Sequence, residues 1–367
     1  MSKLLYCVSG VGFGHASRSL KIITELSKKH DVTVASYGEA THFFKKNNME
    51  TIELNGFTSH GNHGISVWET LSNEKTVFFK IAGDYLKLSK LDKQKNFDAV
   101  VSDSDPIGII TANFLKKKNI VIENIFSTIN EVKYFPMRLK QELNYQIKIL
   151  DDVNSFLNKH IDLFIQTGFE KSKLKYHKIK NIGLMIESKI DVEEYNRVKN
   201  NDFIVIPLPG TSTNYGVIKQ LIDLAKKHPN QRFHFINFPT NTSKKLDNIV
   251  LYPLMSFEEV KSHIKASKAV ITFAGFNTLT DVLFFNKPSL ILPLANHVEQ
   301  IGNANYFRRN KLAEVVFPKK EYEQEKIENG FNRLLNNLEE YSNNIKERKY
   351  DFEGINNAVS EINKAIK

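Results

Sequence analysis

Short apolar runs rich in β-branched residues alternate with helical patterns along the first half of the chain. The alternation predicts strands near 3–9, 31–36, 50–54, 97–102, 119–123 and 161–166. It predicts helices near 16–29, 39–47, 66–90, 106–117 and 138–159. Strands that alternate with helices are the units from which parallel sheets are built. The first half is therefore predicted to be an α/β domain around a parallel sheet.

The same alternation starts again in the second half. Strands are expected near 202–207, 231–236, 249–252, 269–273, 288–292 and 313–316. Helices are expected near 215–228, 256–266, 277–286, 297–309 and 320–336. The predicted division is an N-terminal domain over 1–185, a linker over 186–201, a C-terminal domain over 202–340 and a helical tail over 341–367. Because ligands bind at the carboxyl ends of parallel strands, two such domains facing each other would form a binding cleft.

The composition agrees with this division and limits the chemistry. A chain of 367 residues is long enough for two α/β domains, each with its own core. A single cysteine, Cys7, excludes an intramolecular disulfide and a zinc cluster of several thiolates. The first predicted strand begins almost at residue 1, and no apolar run approaches the roughly 20 residues that span a bilayer. We therefore expect a cytoplasmic protein.

The net charge of +10 attracts anions in general, whether nucleic acid, nucleotide phosphates or the anionic face of a membrane. The lysines occur in short groups near the ends of predicted helices, where they complement the helix dipole. A solvated lysine-rich surface accounts for most of them. The sequence has no zinc-finger spacing, RNA-recognition motif or long basic tail, so nucleic acid is not an expected partner.

A glycine-rich loop joins the first predicted strand to the first helix. It contains Gly10, Gly12 and Gly14 and ends at His15. Glycines let the backbone turn sharply and approach a ligand, and the helix start offers unpaired N–H groups to an anion. The spacing differs from the dinucleotide-binding pattern, and a tight turn without a ligand is the alternative. Since the pKa of histidine lies near neutrality, His15 is a candidate general base, with local packing as its other possible role.

Two carboxylates, Asp103 and Asp105, follow the fourth predicted strand. Asp103 can accept a hydrogen bond from His15 and so orient the imidazole ring. Alternatively, the Asp-Ser-Asp run can hold Mn²⁺ or Mg²⁺ against a diphosphate, an interpretation that the two-domain layout disfavours. Asp105 can also cap the helix that Pro106 opens. No metal is expected.

The segment from Gly275 to Asp281 follows a buried strand and is the most informative part of the second half. Gly275 is expected to permit the turn, and Asn277 or Thr278 to begin a helix. Backbone N–H groups and the Thr278 hydroxyl can hold a diphosphate without a metal. Asp281 lies on the same helical face as Thr278, where its carboxylate can accept hydrogen bonds from ribose hydroxyls. An ordinary capped helix start without a ligand is the alternative.

A longer pattern in this half resembles the donor site of GT-B glycosyltransferases. It comprises Gly-x-Asn-Thr-x-x-Asp from Gly275, Lys-Pro from Lys287, and Pro-Leu-x-x-x-x-Glu-Gln-x-x-Asn-Ala from Pro293. It is most similar to the peptidoglycan lipid-intermediate N-acetylglucosaminyltransferase and the UDP-glycosyltransferases. The opening Gly-x-Gly-x-Gly-His resembles the acceptor-side loop of that group, and Gly-His-Ala-Ser-Arg is typical of an uncharacterised bacterial and archaeal branch. The resemblance implies the GT-B fold, with two Rossmann-like domains facing across a cleft.

The resemblance also implies roles for particular residues. His15 would match the catalytic base and Asp103 its orienting carboxylate, while Asp281 stands where the family usually has a glutamate for the ribose. The residues implied in donor binding are Thr211, Ser212, Met255, Gly275, Phe276, Asn277, Thr278, Asp281, Glu299 and Gln300. Within this set, Thr211 and Ser212 would offer hydroxyls to the diphosphate. Met255 would flank the uracil, with ordinary packing as the alternative. Glu299 and Gln300 would contact the donor sugar.

The expected reaction is transfer of a sugar from a nucleotide sugar, with UDP as the nucleotide by resemblance, to an acceptor hydroxyl with inversion. A metal-independent enzyme without a cofactor, working in cell-envelope or surface glycan synthesis, is implied. A nucleotide-sugar hydrolase or epimerase on the same scaffold is the alternative, as is a nucleotide-sugar-binding protein without turnover. The basic, aromatic-bearing region 133–159 suggests contact with an anionic membrane that carries a lipid-linked acceptor, at the inner membrane surface. A solvated amphipathic helix is the alternative for that region.

Overall fold

The first domain is built on a parallel sheet, as the sequence predicts. The computed structural model describes residues 1–10, 14–56, 77–172, 178–186, 202–208 and 215–367. The strands of the first sheet are β1 (Lys3–Val8), β2 (Asp31–Ser36), β3 (Thr51–Glu53), β4 (Ala99–Asp103), β5 (Lys118–Glu123), β6 (Leu163–Thr167) and β7 (Ile179–Gly183). Their spatial order is β3-β2-β1-β4-β5-β6-β7, and each neighbouring pair is parallel.

Helices connect the strands of the first sheet. They are α1 (Gly14–Ser27), α2 (Gly38–Lys46), α3 (Val77–Lys95), α4 (Pro106–Phe114), α5 (Ile125–Val132), α6 (Met137–Glu142) and α7 (Asn144–His160). The central strand β1 is buried from Leu4 to Val8, which explains why its sequence is a continuous apolar run. Cys7 lies fully buried in that strand, as its apolar neighbours predict.

The second domain repeats the architecture. Its strands are β8 (Phe203–Pro207), β9 (Arg232–Ile236), β10 (Lys244–Leu246), β11 (Ile249–Leu251), β12 (Ala269–Thr272), β13 (Ser289–Ile291) and β14 (Glu314–Val315). They are ordered β10-β11-β9-β8-β12-β13-β14, and only the edge pair β10–β11 among these described strands is antiparallel. The helices of this part are α8 (Tyr215–Lys227), α9 (Phe257–Ala266), α10 (Phe276–Phe284), α11 (Val298–Arg309) and α12 (Gln324–Asn336).

The strand order fixes where a ligand can bind. In the first sheet the connections diverge at β1 and β4, and in the second sheet they diverge at β8 and β12. Such switch points leave a crevice at the carboxyl ends of the diverging strands. His15 follows β1, Asp103 ends β4 and Gly275 follows β12. The candidate residues therefore lie at the switch points of both sheets.

The last two helices divide between the domains. Helix α13 (Leu338–Glu347) packs Ile345 into the core of the second domain. Helix α14 (Gly354–Ala365) places Ala358 and Ile362 in the core of the first domain, against α1. A backbone hydrogen bond of 2.7 Å from Leu184 N–H to the Asp351 carbonyl joins the returning segment to the end of β7. The segment predicted as a tail, 341–367, thus includes a helix that completes the N-terminal domain.

Two further features bear on the predicted layout. The predicted linker, 186–201, lies outside the described residues except for Ile186, so its role stays a prediction. Among the described residues, none of the helices combines the length and the apolar composition that crossing a bilayer requires.

Candidate functional site

His15 and Asp103 meet at the carboxyl edge of the first sheet. His15 is the second residue of α1, and its Nδ1 lies 3.0 Å from Asp103 Oδ1. The Asp103 side chain is fully buried, whereas that of His15 is 28% exposed. The imidazole is therefore held from inside the domain and remains accessible from the cleft.

Asp103 is ionised because of a partner that the sequence did not reveal. Burial alone would raise the pKa of its carboxyl, but the Arg18 charge and the hydrogen bonds from His15 and Arg18 hold that pKa well below its usual range. Arg18 Nε donates to both carboxylate oxygens, at 3.0 and 2.9 Å, and Ser19 Oγ donates at 2.6 Å. An ionised carboxylate can only accept hydrogen bonds, so Nδ1 of His15 carries the proton. When the imidazole is neutral, its Nε2 atom carries the lone pair that can accept a proton.

Asp105 has a different role from Asp103. Its carboxylate accepts hydrogen bonds from the backbone N–H groups of Ile107 and Gly108, at 3.4 and 3.0 Å. This arrangement confirms the predicted cap of the helix that Pro106 opens. Burial raises the pKa of Asp105 to about 7, against the opposing effect of those two hydrogen bonds. Both carboxylates of the Asp-Ser-Asp run thus have partners within the protein.

The loop after β12 turns at Ala274, not at the glycine. Gly275 caps α10 with φ −63° and ψ 133°, which any residue can adopt. Ala274 has φ 63°, in the left-handed region, and its carbonyl accepts a 3.1 Å hydrogen bond from Asn303 Nδ2. The expectation that Gly275 permits the turn is therefore wrong, because Asn303 helps to hold the alanine there. A Cβ at Gly275 would meet no atom of the described residues within 4 Å, so this glycine faces open space in the described structure.

The first turns of α10 present a mixed surface. Phe276 is buried and packs its ring 4.8 Å from that of Phe169, so only its backbone remains for a ligand. Thr278 is half-buried. Asp281 is also half-buried, and within the described part of the chain its carboxylate has no hydrogen-bond partner. Loss of hydration raises the pKa of Asp281 to about 6, and the charge of Lys261 opposes this rise.

The two helix starts touch across the cleft. Asn277, in the first turn of α10, donates a 3.0 Å hydrogen bond from Nδ2 to the carbonyl of Gly14. Gly14 begins α1 and precedes His15. The candidate base on one domain therefore lies beside the candidate diphosphate site on the other.

The residues expected at the donor sugar and base are already anchored. Gln300 Oε1 accepts a 2.9 Å hydrogen bond from Leu294 N–H, and Glu299 Oε1 accepts one of 3.0 Å from Asn124 Nδ2. The backbone N–H of Met255 donates to Asn237 Oδ1 at 3.0 Å, which fixes the loop after β11. Of the remaining predicted residues, Gly12, Thr211 and Ser212 lie outside the described residues.

Gly10 supports the site for a steric reason. A Cβ on Gly10 would lie 2.1 Å from the carbonyl oxygen of Tyr37 and 2.4 Å from its ring, so no side chain fits there. The glycine lets the end of β1 lie directly against the end of β2. Gly14 is less restricted, since its Cβ would lie 3.2 Å from the Asn277 amide.

Glu123 is a further acidic group at the site, and no motif in the sequence singled it out. It ends β5, next to the end of β4, where Ser104 Oγ and the Asn124 N–H donate to its carboxylate. Burial raises its pKa, and the charges of His15 and Arg18 oppose this rise. An acidic residue at the carboxyl end of a parallel strand beside β4 is the signal that could have identified it.

Comparison with known proteins agrees with this geometry. The family model described as glycosyl transferase family 1 matches residues 2–334. An uncharacterized glycosyltransferase of Methanosarcina acetivorans is 24% identical over 319 residues, which cover 82% of each chain. The UDP-N-acetylglucosamine–N-acetylmuramyl-(pentapeptide) pyrophosphoryl-undecaprenol N-acetylglucosamine transferase of Clostridium tetani is 31% identical over 173 residues, 45% of this chain and 48% of that one. The crystal structure of Acinetobacter baumannii MurG superposes with a TM-score of 0.66 at 16% identity, covering 99% of this chain and all of that one.

Proposed function

Because this chain belongs to glycosyl transferase family 1 and has the GT-B fold, we propose that it transfers a sugar from a UDP-sugar to an acceptor hydroxyl with inversion. The observation that carries the proposal is the contact between the two helix starts. The Asn277–Gly14 hydrogen bond sets a polarised histidine opposite an open helix N-terminus. A base and an anion site on opposite sides of a cleft are what a single displacement needs.

In the proposed reaction His15 Nε2 removes the proton of the acceptor hydroxyl. The acceptor oxygen forms a bond to the anomeric carbon from the face opposite the diphosphate. The bond from that carbon to the diphosphate oxygen breaks, and its electron pair leaves with the diphosphate. Asp103 stays ionised beside Arg18 and stabilises the imidazolium that forms.

The diphosphate would bind at the start of α10. Unpaired backbone N–H groups and the helix dipole favour an anion there, and Gly275 leaves open space in front of them. Thr278 would add a hydroxyl. The carboxylate of Asp281, which has no hydrogen-bond partner among the described residues, would accept hydrogen bonds from the ribose. The proposal assigns no metal or other cofactor to these steps, since the helix start supplies the positive potential.

The acceptor class rests on similarity alone. The Clostridium tetani relative is named for transfer to a lipid-linked pyrophosphoryl acceptor, and we propose an acceptor of that kind in envelope or surface glycan synthesis. Region 133–159 would then contact an anionic membrane. Met137 and Tyr145 in this region have 71% and 61% of their surfaces exposed, as membrane contact requires. On this proposal the protein works in the cytoplasm, at the inner membrane surface.

The test starts with UDP-N-acetylglucosamine, within a panel of UDP-sugars, each with and without a lipid-linked acceptor. We expect UDP release that depends on the acceptor and that His15→Ala abolishes. His42→Ala is the matched control, because His42 is an exposed histidine on α2. Free sugar released without acceptor would indicate a hydrolase, and an altered sugar still attached to UDP would indicate an epimerase. Binding of a UDP-sugar without turnover of any kind would leave a binding protein.

A further inference from the structure

One side chain of the first domain clamps a loop of the second. Gln146 lies on α7, and its Nε2 donates a hydrogen bond to the Asn296 carbonyl. Its Oε1 accepts a 3.0 Å hydrogen bond from the N–H of Val298. A single amide therefore bonds to the backbone on both sides of His297.

The clamped loop needs an external support. Asn296 has φ 56°, in the left-handed region. Val298 is the first residue of α11, where a backbone N–H has no acceptor inside its own helix. Gln146 supplies that acceptor. Between the two bonds, the His297 ring accepts a 3.4 Å hydrogen bond from Gln300 N–H, so the loop and the helix start are fixed together.

Further contacts between the domains lie beside the clamp. Asn124 Nδ2 donates to Glu299 Oε1 at 3.0 Å. Val298 and Ile301 of α11 share an apolar cluster with Leu139 of the first domain. The segment from 296 to 301 is thus assembled by groups from both domains. By contrast, the turn at Ala274, which precedes α10, is held by Asn303 from within the second domain.

We propose that Gln146 is a positioning residue that couples the joining of the two domains to recognition of the donor sugar. This rests on the proposed function, which places Glu299 and Gln300 at that sugar. When the domains separate, the loop loses its clamp and the sugar-binding arrangement with it. The diphosphate site on α10 keeps its own support. UDP binding should therefore be independent of Gln146, and binding of the sugar should not be.

Calorimetric titration with UDP and with UDP-N-acetylglucosamine tests the coupling. Gln146→Met keeps the length of the side chain and removes both hydrogen bonds. We expect it to weaken UDP-N-acetylglucosamine binding about tenfold, since two net hydrogen bonds are involved, and to leave UDP binding within about twofold. Gln141→Met is the matched control, because Gln141 is exposed on α6. If the substitution weakens the binding of both ligands equally, or weakens the binding of neither, the proposal is overturned.

Hydrogen exchange separates a failure of the clamp from a failure of the proposed function. In Gln146→Met the Val298 amide should exchange faster than in the parent protein, and in Gln141→Met it should not. If the exchange rate of the Val298 amide is the same in Gln146→Met as in the parent protein, the clamp is overturned, whatever the titrations show. If the parent protein binds neither nucleotide while the amide is deprotected in Gln146→Met, the proposed function fails and the clamp between the domains stands.

Discussion

Replacing Asp103 with asparagine should destabilise the first domain and suppress turnover for two separable reasons. Asp103 is fully buried and Arg18 is 5% exposed, so the substitution leaves the guanidinium buried without its counter-charge. Breaking a buried pair from one side costs about 3–5 kcal/mol. That is a large part of the roughly 5–15 kcal/mol by which a domain is stable. Independently, the amide can no longer stabilise a positively charged His15.

The double variant Arg18→Met/Asp103→Asn separates the two effects. It removes both charges, so no guanidinium stays buried without its counter-charge. We expect urea unfolding to recover most of the loss seen in Asp103→Asn, while UDP release from a UDP-sugar stays at least about 100-fold below that of the parent protein. Glu25→Gln, which breaks the exposed pair with Lys28, should cost below about 1 kcal/mol and serves as the control.

The contribution of Asp103 to stability should depend on pH. The folded-state pKa of Asp103 lies below its unfolded value of about 3.9, so its stabilisation is present above that value and is lost as the pH falls toward the folded pKa. The difference in unfolding free energy between the parent and Asp103→Asn should therefore shrink below pH ~4. The reasoning is refuted if Asp103→Asn unfolds within about 1 kcal/mol of the parent at pH 7. Parent-like turnover in the double variant would refute the orienting role of Asp103.

Three further predictions concern the cleft. His15→Ala should lower turnover about 10²- to 10⁴-fold and leave UDP binding, measured by calorimetry, unchanged. Weakened UDP binding would contradict the assignment of His15 as the base. Gly275→Ala should change the melting temperature by less than about 2 °C, because a Cβ there meets no described atom within 4 Å. It should nevertheless weaken UDP binding. Unchanged UDP binding would mean that no diphosphate approaches Gly275. The pKa of Asp281 is raised to about 6, so its stabilising effect is present at low pH and lost as the pH rises through about 6. Asp281→Asn should therefore melt at a higher temperature than the parent at pH 8 but not at pH 4. In calorimetric titrations, the affinity of the parent protein for UDP should rise between pH 5 and 7. An affinity that does not change with pH would contradict the assignment of Asp281 to the ribose.

The two sheets could be predicted because buried parallel strands have continuous apolar sequences. Strand β10 could not, since Lys244–Leu246 is exposed throughout and pairs only at an edge. Strand β7 also has too little apolar pattern, with one buried residue in five. Nor could the sequence show which domain α14 packs against, because the apolar face of a helix can pack on any apolar surface.

The pairing of His15 with Asp103 was predictable because both follow strands that end at one edge of a sheet. Arg18 stands three residues after His15 on the same face of α1, a spacing that could have indicated its part in the pair. The left-handed Ala274 was not predictable, because its tether, Asn303, lies on another helix. Contacts that cross from one domain to the other, such as that of Gln146, have no local signature at all.

The return of α14 to the first domain has a consequence for biosynthesis. Ala358 and Ile362 fill the core beside α1, yet the ribosome makes them only after the whole second domain. Domains usually fold as units in the order of their synthesis. Here the first domain leaves the ribosome with an apolar groove on its surface, and it can close that groove only when the last helix emerges. Nascent chains stalled before residue 354 should therefore be more susceptible to proteolysis in their N-terminal half than chains that include α14.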